Sequence, residues 1–517
     1  MSLQQFIDSY RKARPDDVLE IDEKISVDYE PTCYANELGD RNPMLLFNRV
    51  DGYDGIRLIN NIFGTKERIA FSLGCAEKDL YSRWNDIINR KNGKISIVSD
   101  AQVKEVIYGK DYLNLLRLPA PRHYEEDGGR YISGGLIAAR NPADSNIINL
   151  SFARIQLVDK DKAALSMHSR GHLWNYYLLS KKAGKPLPVT VIIGAHPIYY
   201  MAAAAHIEDE YSKIGSVIEP KLTEGITNDI PVPANAEIAF EGEISPTEEF
   251  HEGPFGEYTG YMSNRSTNNL MHIRSLYMKS NPFFLDINPS NAKEHVLLSS
   301  VAKEAPMMQE IKQFMPPNEY SLNWPTASSH YMAIGSIRRP EPGLAKQLGI
   351  IMLGLDHYLK IVIVGDGEGE MKFRDLMGRL ARSSSRVENM DILPGIFCNR
   401  LDPSASPEGT SSKVIFVANS HDNAATASVG VEDSLVLSHT YRDDGGLNII
   451  LDDDIDLSND DEIIWALSTR LQPAEGIRTV DGRIVIDSRR PNLLRPTMPE
   501  DVVQRVRAKV RSLRAVS

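Results

Sequence analysis

Cysteine is scarce. Cys33, Cys75 and Cys398 are the only three in 517 residues, and they lie far apart. No disulfide framework or zinc spacing can be built from them. With no secretory leader at the start of the sequence, this predicts a reducing, cytoplasmic setting. Positive charge is in deficit as well: 58 Lys and Arg stand against 70 Asp and Glu, a net charge of −12. Nucleic-acid binders usually carry a basic face, so that class of partner is set aside. Long apolar runs are few. The one that invites a membrane span, Val189 to Ile207, is broken by Gly194, His196, Pro197 and His206. It predicts a buried strand, a turn and a small-residue segment over Ala202 to Ala205, with no membrane crossing. There is no Gly-rich loop closed by Lys-Ser/Thr and no His-Glu-x-x-His. Gly365-Asp366-Gly367-Glu368-Gly369 follows a strand pattern but lacks the dinucleotide-binding spacing.

What is present is an ordinary globular composition, 42% apolar and 25% charged. At roughly 150 residues per domain the length suggests about three domains. Ser2 can cap a helix that places Leu3, Phe6, Ile7 and Tyr10 on one face. Val18 to Ile25, Leu45 to Phe47 and Ile56 to Ile62 read as strands, and Thr65 as the cap of a second helix. Residues 1–115 are therefore expected to form an α/β domain. Leu118-Pro119-Ala120-Pro121 marks a linker, after which strand patterns crowd together: Tyr131 to Ala138, Ile147 to Leu157, Val189 to Ile193, Glu237 to Gly242 and Ile273 to Tyr277. One clear helix, His172 to Lys182, interrupts them. A mostly β domain, sandwich or barrel, is expected over 120–325. Beyond Pro316-Pro317, helices and strands alternate again, giving a C-terminal α/β domain over 326–517. Within it Lys360 to Gly365 and Asn448 to Leu451 each open a strand–helix unit that ends near an arginine, Arg382 or Arg470. Two copies of one unit, or two ordinary units alike by chance, both fit. Thr497 to Glu500 reads as a capping box for an amphipathic terminal helix carrying Val502, Val503, Val506, Val510 and Leu513.

Three stretches have the residue types for chemistry. His251-Glu252-Gly253-Pro254-Phe255-Gly256-Glu257-Tyr258 holds two glutamates separated by Gly-Pro-Phe-Gly, so a shaped turn sets how they face each other. Paired carboxylates can be driven to different pKa values and so provide an acid and a base at one pH. A surface loop with two solvated glutamates is the plainer alternative. Asn149-Leu150-Ser151-Phe152-Ala153-Arg154, read as one strand, points Asn149, Ser151 and Ala153 one way and Leu150, Phe152 and Arg154 the other. His172 opens the helix, and Glu208 lies in the acidic cluster Glu208-Asp209-Glu210. An Asn, His and Glu set would be mostly hard and would suit Mn²⁺ or Mg²⁺ better than zinc. A structural histidine and a solvated charge run are the ordinary readings of the last two.

Taken together these stretches resemble the UbiD family of prenylated-flavin-dependent decarboxylases. The resemblance runs through Phe63 to Ala70, Leu118 to Pro121 with Gly128 to Ile132, Asn149 to Arg154, Val232 to Gly242, Glu252 to Glu257 and Leu401 to Ala405. The Glu-Gly-Pro-Phe-Gly-Glu motif combined with Asn-x-x-x-x-Arg is its most specific part. It implies an N-terminal α/β domain, a central split β-barrel that binds the flavin, and a C-terminal α/β domain that dimerises. It implies a catalytic network of Glu252, Arg154 and Glu257. It implies that Asn149, His172 and Glu208 hold Mn²⁺ (or Mg²⁺) on the phosphate of prenylated FMN, with a monovalent cation such as K⁺ nearby. Ser151, Phe152, Ala153 and Arg154 would line the flavin, with Gly171 and Gly134 beside it. Two segments, 359–413 and 447–487, both look like the family's C-terminal strand–helix unit.

The implied reaction is reversible, non-oxidative decarboxylation of an aromatic, heteroaromatic or α,β-unsaturated acid, with Glu257 as proton donor. The residues show no motif of their own that would delocalise the resulting carbanion, so a cofactor must serve as electron sink. A flavin prenyltransferase would supply it. The expected partners are a small carboxylic acid and a second copy of the chain, with no nucleic acid and no membrane. Asn288, Ser290 and Asn291 offer polar recognition or simply a turn around Pro289. A flavin oxidoreductase on the same barrel is the main alternative. A hydrolase using the two glutamates as a glycosidase does would leave the Asn-His-Glu set unexplained.

Overall fold

Ser2 caps the first helix, Leu3–Ala13, through a complete capping box: its Oγ accepts from the Gln5 N–H at 3.1 Å, and Gln5 Oε1 accepts from the Ser2 N–H at 2.9 Å. Leu3, Phe6, Ile7 and Tyr10 are buried along one face, as the periodicity predicts. The structure is a computed structural model that describes all residues except 170, 206, 265, 316–319, 384–385, 419–434, 443–444, 491 and 517. The boundary read at Pro316-Pro317 lies outside the described residues.

The chain divides into two compact units. The first comprises Met1–Glu257, Tyr261–Ala305 and Arg495–Ser517; the second comprises Tyr258–Gly260 and Pro306–Leu494. In the first unit the strands Val18–Ile25, Met44–Val50 and Arg57–Asn60 form a mixed sheet, completed by Phe283–Leu285 from far along the chain. The helix Lys66–Ser72 follows, with the Thr65 hydroxyl accepting from the Arg68 N–H at 3.2 Å. Arg68 is fully buried and donates to the carbonyls of Asn42 and Asn61, which ties the helix to the loops at the sheet's end.

The larger sheet of this unit has nine strands, antiparallel throughout. Its path runs Tyr131–Ile132, Arg154–Asp159, Lys162–Ser166, Ser266–Met278, Ile238–Glu252, Leu187–Ile193, Gly135–Arg140 and Ile148–Phe152, with Val106–Tyr108 pairing alongside Ser266–Met278. Ile148–Phe152 ends the path at one side, and Arg154–Asp159 is second from the other end, yet only Ala153 separates them in sequence. The chain thus crosses from one margin of the sheet to the other at that residue. This is a split β-barrel, with the crossing at its split. The single strand expected over Ile147 to Leu157 is therefore two strands with different partners. The long apolar run resolves into the strand Leu187–Ile193 and the helix Pro197–Ala204. Among the described residues no helix is long and apolar enough to cross a membrane.

The terminal helix Glu500–Val516 packs in the first unit with Val502, Val506 and Val510 buried, and Arg505 and Arg507 each lie 2.9 Å from a carboxylate, that of Glu30 and that of Glu37. Thr497 does not form the expected capping box. Its hydroxyl donates instead to Glu125, at 3.1 Å, and to Glu126.

The described residues of the second unit form two sheets. One runs Tyr320–Asn323, Met332–Ile337, Ile361–Asp366, Thr410–Ala418, Met390–Phe397; the other runs Leu435–Ser438, Leu447–Ile450, Arg483–Asp487, Ile477–Val480. Leave out Tyr320–Asn323 and the two are alike: two parallel pairings followed by an antiparallel last strand. In each, a helix follows the second strand, Phe373–Arg382 in one and Asp460–Arg470 in the other. The shared topology favours two copies of one unit. Leu401 to Ala405 also has a structural account here. Asp402 Oδ1 and Ser404 Oγ take the buried Lys360 ammonium at 3.0 and 2.9 Å.

Candidate active site

The strand Ile238–Glu252 delivers Glu252 as its last residue, fully buried. Gly253, at φ 93°, then turns the chain into a cis Gly253–Pro254 bond. A conformation with positive φ admits glycine at little cost and most other residues with strain. The turn is held from below. Gly128 N–H donates to the Pro254 carbonyl at 2.8 Å, and the Gln156 side chain joins Gly128 O at 2.9 Å to Gly253 N–H at 3.3 Å. A Cβ on Gly128 would stand 2.2 Å from the Gly253 carbonyl oxygen, so the approach requires glycine there. Beyond the turn, Glu257 N–H donates to the Tyr261 carbonyl at 2.9 Å.

Arg154, first residue past the barrel's split, lies between the two glutamates. Its Nε and Nη2 donate to the two oxygens of Glu252, each at 2.8 Å, and Nη1 donates to Glu257 Oε1. Its guanidinium sits 5.1 Å from the Phe255 ring centroid, and that ring packs on Tyr131 at 4.5 Å. Burial works against the Arg154 charge, but the two carboxylates outweigh it, Glu257 most, and hold its pKa above the usual value. Burial, with the charge of Glu252, likewise raises the Tyr131 phenol. Asn268, on the neighbouring strand, donates to Glu252 Oε2 at 2.7 Å. Sequence reasoning misses it; it lies in the polar run Thr267-Asn268-Asn269, across the pair of strands from Phe250.

A second cluster sits at the other side of the split. Asn149 is buried, with Oδ1 2.9 Å from His172 Nδ1, and Glu210 Oε2 accepts from the Leu150 N–H at 2.9 Å. With the amide turned over, its nitrogen lies 2.9 Å from His172 Nδ1 and 3.2 Å from Glu210 Oε1. One end of the amide is thus within reach of both an imidazole nitrogen and a carboxylate. Glu208 is exposed and Glu210 is buried, so Glu210 is the carboxylate that belongs to this cluster. Burial pushes Glu210 up to about 8, against the Leu150 hydrogen bond. A buried amide oxygen and a buried carboxylate, with a half-buried imidazole 2.9 Å from the amide, make a hard, electron-rich point that suits a divalent cation. Among the described residues no group of three His, Cys, Asp or Glu side chains that could hold a metal ion is found; here the group beside His172 and Glu210 is the Asn149 amide.

Between the clusters, Ser151 and Phe152 remain partly exposed while Ala153 is buried. Gly134 lies where a Cβ would meet the Leu285 carbonyl oxygen at 2.4 Å, whereas Gly171 precedes the helix at an ordinary φ of −76°. Asn288 and Ser290 are not free for recognition. Asn288 donates twice to Glu294 at 2.8 and 2.9 Å, and the Ser290 hydroxyl donates to Asn291 Oδ1 at 3.4 Å. Asn291 is exposed.

The first unit thus carries an open antiparallel barrel with an arginine bracketed by two carboxylates at its split, and the family models below assign the chain to the carboxy-lyases. The chain belongs to the UbiD family. The family's models, described as the N-terminal, Rift-related and C-terminal domains of 3-octaprenyl-4-hydroxybenzoate carboxy-lyase, match residues 10–88, 96–292 and 296–418. A phenolic acid decarboxylase of Bacillus subtilis (strain 168) is 27% identical over 416 residues, spanning 74% of this chain and 85% of the relative. An uncharacterized protein of Aquifex aeolicus (strain VF5) is 31% identical over 348 residues, 60% of this chain and 69% of that one. The UbiD-class enzyme HmfF from Pelotomaculum thermopropionicum, solved with FMN, superposes with a TM-score of 0.74 at 27% identity, covering 81% of this chain and 94% of its own. An evolved dimeric form of the same enzyme, with prFMN, gives 0.72 at 25% identity over the same shares.

Proposed function

We propose that this carboxy-lyase catalyses the reversible, non-oxidative decarboxylation of an aromatic, heteroaromatic or α,β-unsaturated carboxylic acid with prenylated FMN. The observation that carries the reading is Arg154 held between Glu252 and Glu257 five residues along the chain from Asn149, which faces His172 and Glu210. The phenolic acid decarboxylase and the flavin complexes of HmfF support the substrate class and the cofactor. Asn149, His172 and Glu210 would hold Mn²⁺ or Mg²⁺ against the flavin phosphate, Glu210 taking the place expected of Glu208. Ser151, Phe152 and Ala153 would line the ring system. When bound, the prenylated flavin supplies the electron sink that loss of CO₂ requires.

The chain's own residues divide the remaining work. Glu252 receives two N–H groups from Arg154 and one from Asn268, so it is the fixed carboxylate that anchors the arginine. Glu257 shares only one nitrogen of Arg154 and is the freer of the two, which suits the group that delivers a proton to the product carbon. Arg154 orients both, and being bidentate it cannot be replaced by lysine without loss of geometry. A homodimer, a reducing cytoplasmic setting and cofactor supply by a flavin prenyltransferase complete the proposal; the dimeric HmfF supports the first of these.

The test is Glu257→Gln in protein loaded with prenylated FMN. It should keep its fold and flavin absorbance and lose turnover by a factor on the order of 10² or more, the usual scale for general acid–base catalysis. Glu257→Asp should lose less. The readouts are CO₂ release and solvent-deuterium incorporation into product, over a panel of hydroxybenzoic, furoic and cinnamic acids. Near-normal deuterium incorporation in Glu257→Gln moves the donor elsewhere.

A further inference from the structure

Three ionisable side chains, His123, Asp127 and Asp286, are buried together against the turn that carries Glu252 and Glu257, and all of these residues belong to the first unit. His123 Nε2 lies 3.0 Å from Asp286 Oδ1, which also accepts from the Ser133 hydroxyl at 2.7 Å. His123 Nδ1 lies 3.9 Å from Asp127 Oδ2, and that oxygen accepts from the N–H groups of His123 and Tyr124 at 3.0 and 2.9 Å. Asp286 is anchored in turn. It follows the strand Phe283–Leu285, and its N–H donates to the Ile59 carbonyl at 2.9 Å. Burial works against a charge on His123, but Asp286 most and Asp127 next outweigh it and hold the imidazole above its usual pKa. The cluster meets the turn at two places. The His123 ring stands edge-on to Phe255, with centroids 6.2 Å apart, and Phe255 is the ring that faces the Arg154 guanidinium. Burial raises the Asp127 carboxyl, opposed by His123 and by the N–H groups of Tyr124, His123 and Gly256, the residue before Glu257. Gly256 is itself closely enclosed: a Cβ there would stand 3.2 Å from the Tyr124 ring, and its carbonyl accepts from the Ser290 N–H at 3.1 Å.

We infer that His123 and Asp127 are positioning residues for the Glu252–Arg154–Glu257 network, acting through Phe255 and the Gly256 peptide. His123 is fully buried, so it reaches the reaction only by way of the turn. Buried ionisable groups are a poor source of stability, since well-packed apolar residues of similar volume often serve as well or better. What a hydrogen-bonded cluster adds is a fixed orientation, which apolar packing leaves looser. The imidazole held on Asp286 sets the Phe255 ring, and with it the place of Arg154. Asp127 sets the peptide from which Glu257 hangs. A proton donor displaced by a fraction of an ångström loses rate steeply, since productive geometry is confined to near contact distances. The inference rests on the reading of Glu257 as proton donor. A cluster that merely stabilised the surroundings of the turn would pack in the same way, and the variants below separate the two.

The variants are His123→Phe, which keeps a ring and donates nothing; His123→Gln, which can still donate to Asp286; and Asp127→Asn, which keeps an acceptor and drops the charge. Each is made in the prenylated-FMN holoenzyme, alone and combined with Glu257→Gln. His123→Phe should lower kcat on the order of tenfold, with KM and flavin content unchanged. His123→Gln and Asp127→Asn should show the same pattern more weakly. None should cost anything further once Glu257 is Gln, because positioning of one group by another gives this non-additivity. Equal losses in both backgrounds overturn the inference. A larger loss in His123→Gln than in His123→Phe overturns it too, since ring packing alone would then place Phe255. If His123→Phe does not fold, the other two variants carry the same comparison of backgrounds. Amide hydrogen exchange of the holoenzyme, which needs no substrate, is the second readout. Each variant should raise exchange across 253–257, and unchanged protection there contradicts the inference. If the wild type releases CO₂ from none of the panel acids, the decarboxylase reading falls, and the exchange experiment still decides whether His123 and Asp127 hold the turn.

Discussion

Glu208 and Glu210 differ in burial, and a residue with an unusual backbone angle stands between them. Asp209 takes the left-handed conformation, with φ 55°. Glu210 is buried and Glu208 exposed, although the two are only two positions apart. Such a twist leaves no trace in a run of three acidic residues, which is why the sequence points to Glu208. Glu210→Ala should accordingly purify with little manganese and little flavin, and Glu208→Ala with amounts near wild type, measured by metal analysis and flavin absorbance. Full metal and flavin in Glu210→Ala removes it from the ligand set. Glu252, Arg154 and Glu257 are legible in the sequence because their motif is specific, but their unequal bonding is not, since Asn268 comes from another strand. Arg154→Ala leaves the fully buried Glu252 with its hydrogen bonds to Asn268 and Tyr131 but without the guanidinium. Breaking a buried ion pair on one side costs about 3–5 kcal/mol. Arg154→Ala should therefore unfold at markedly lower urea than Glu257→Ala, in which Arg154 keeps Glu252 as its partner.

Among the elements, most strands and helices fall where hydrophobic periodicity places them, because Val, Ile and Leu alternation is a direct consequence of facing a core. The break at Ala153 does not. Pattern alone reads Ile148–Phe152 and Arg154–Asp159 as one strand, and only the closing of the sheet sends them to opposite margins. Likewise, the Glu252 turn, an isolated loop to the eye, is the end of a 15-residue strand. Its shape depends on Gly128, which the sequence offers only as part of the resembling segment Gly128 to Ile132, with nothing to tie it to the turn. Gly128→Ala would press a methyl group into the Gly253 carbonyl. Overpacking of this kind costs about 1–3 kcal/mol. It should lower the melting temperature and reduce kcat by displacing the turn, whereas alanine at Gly184, where a Cβ meets nothing within 4 Å but φ is +67°, should affect stability alone.

Across the whole chain, composition and punctuation announce several α/β and β regions. They do not announce that Phe283–Leu285 completes the first sheet, or that residues from 495 onward pack with the first unit. Both depend on contacts between segments hundreds of positions apart. Removing the terminal helix would expose the faces that bury Val502, Val506 and Val510 and would break the Arg505–Glu30 and Arg507–Glu37 pairs. A chain ended at Leu494 should accordingly melt earlier and aggregate on heating, seen by light scattering alongside a thermal scan. The two like-wired sheets of the second unit are the one long-range feature at which the sequence hints, through the matched strand–helix segments around Lys360 and Asn448. Decarboxylation by way of a prenylated flavin is addressed most directly by one comparison: CO₂ release from the acid panel by protein loaded with prenylated FMN, set against protein loaded with ordinary FMN and given NAD(P)H. Release is expected with the prenylated cofactor, without nicotinamide, and none with FMN. Turnover supported by ordinary FMN and NAD(P)H would contradict this chemistry and assign the barrel to an oxidoreductase.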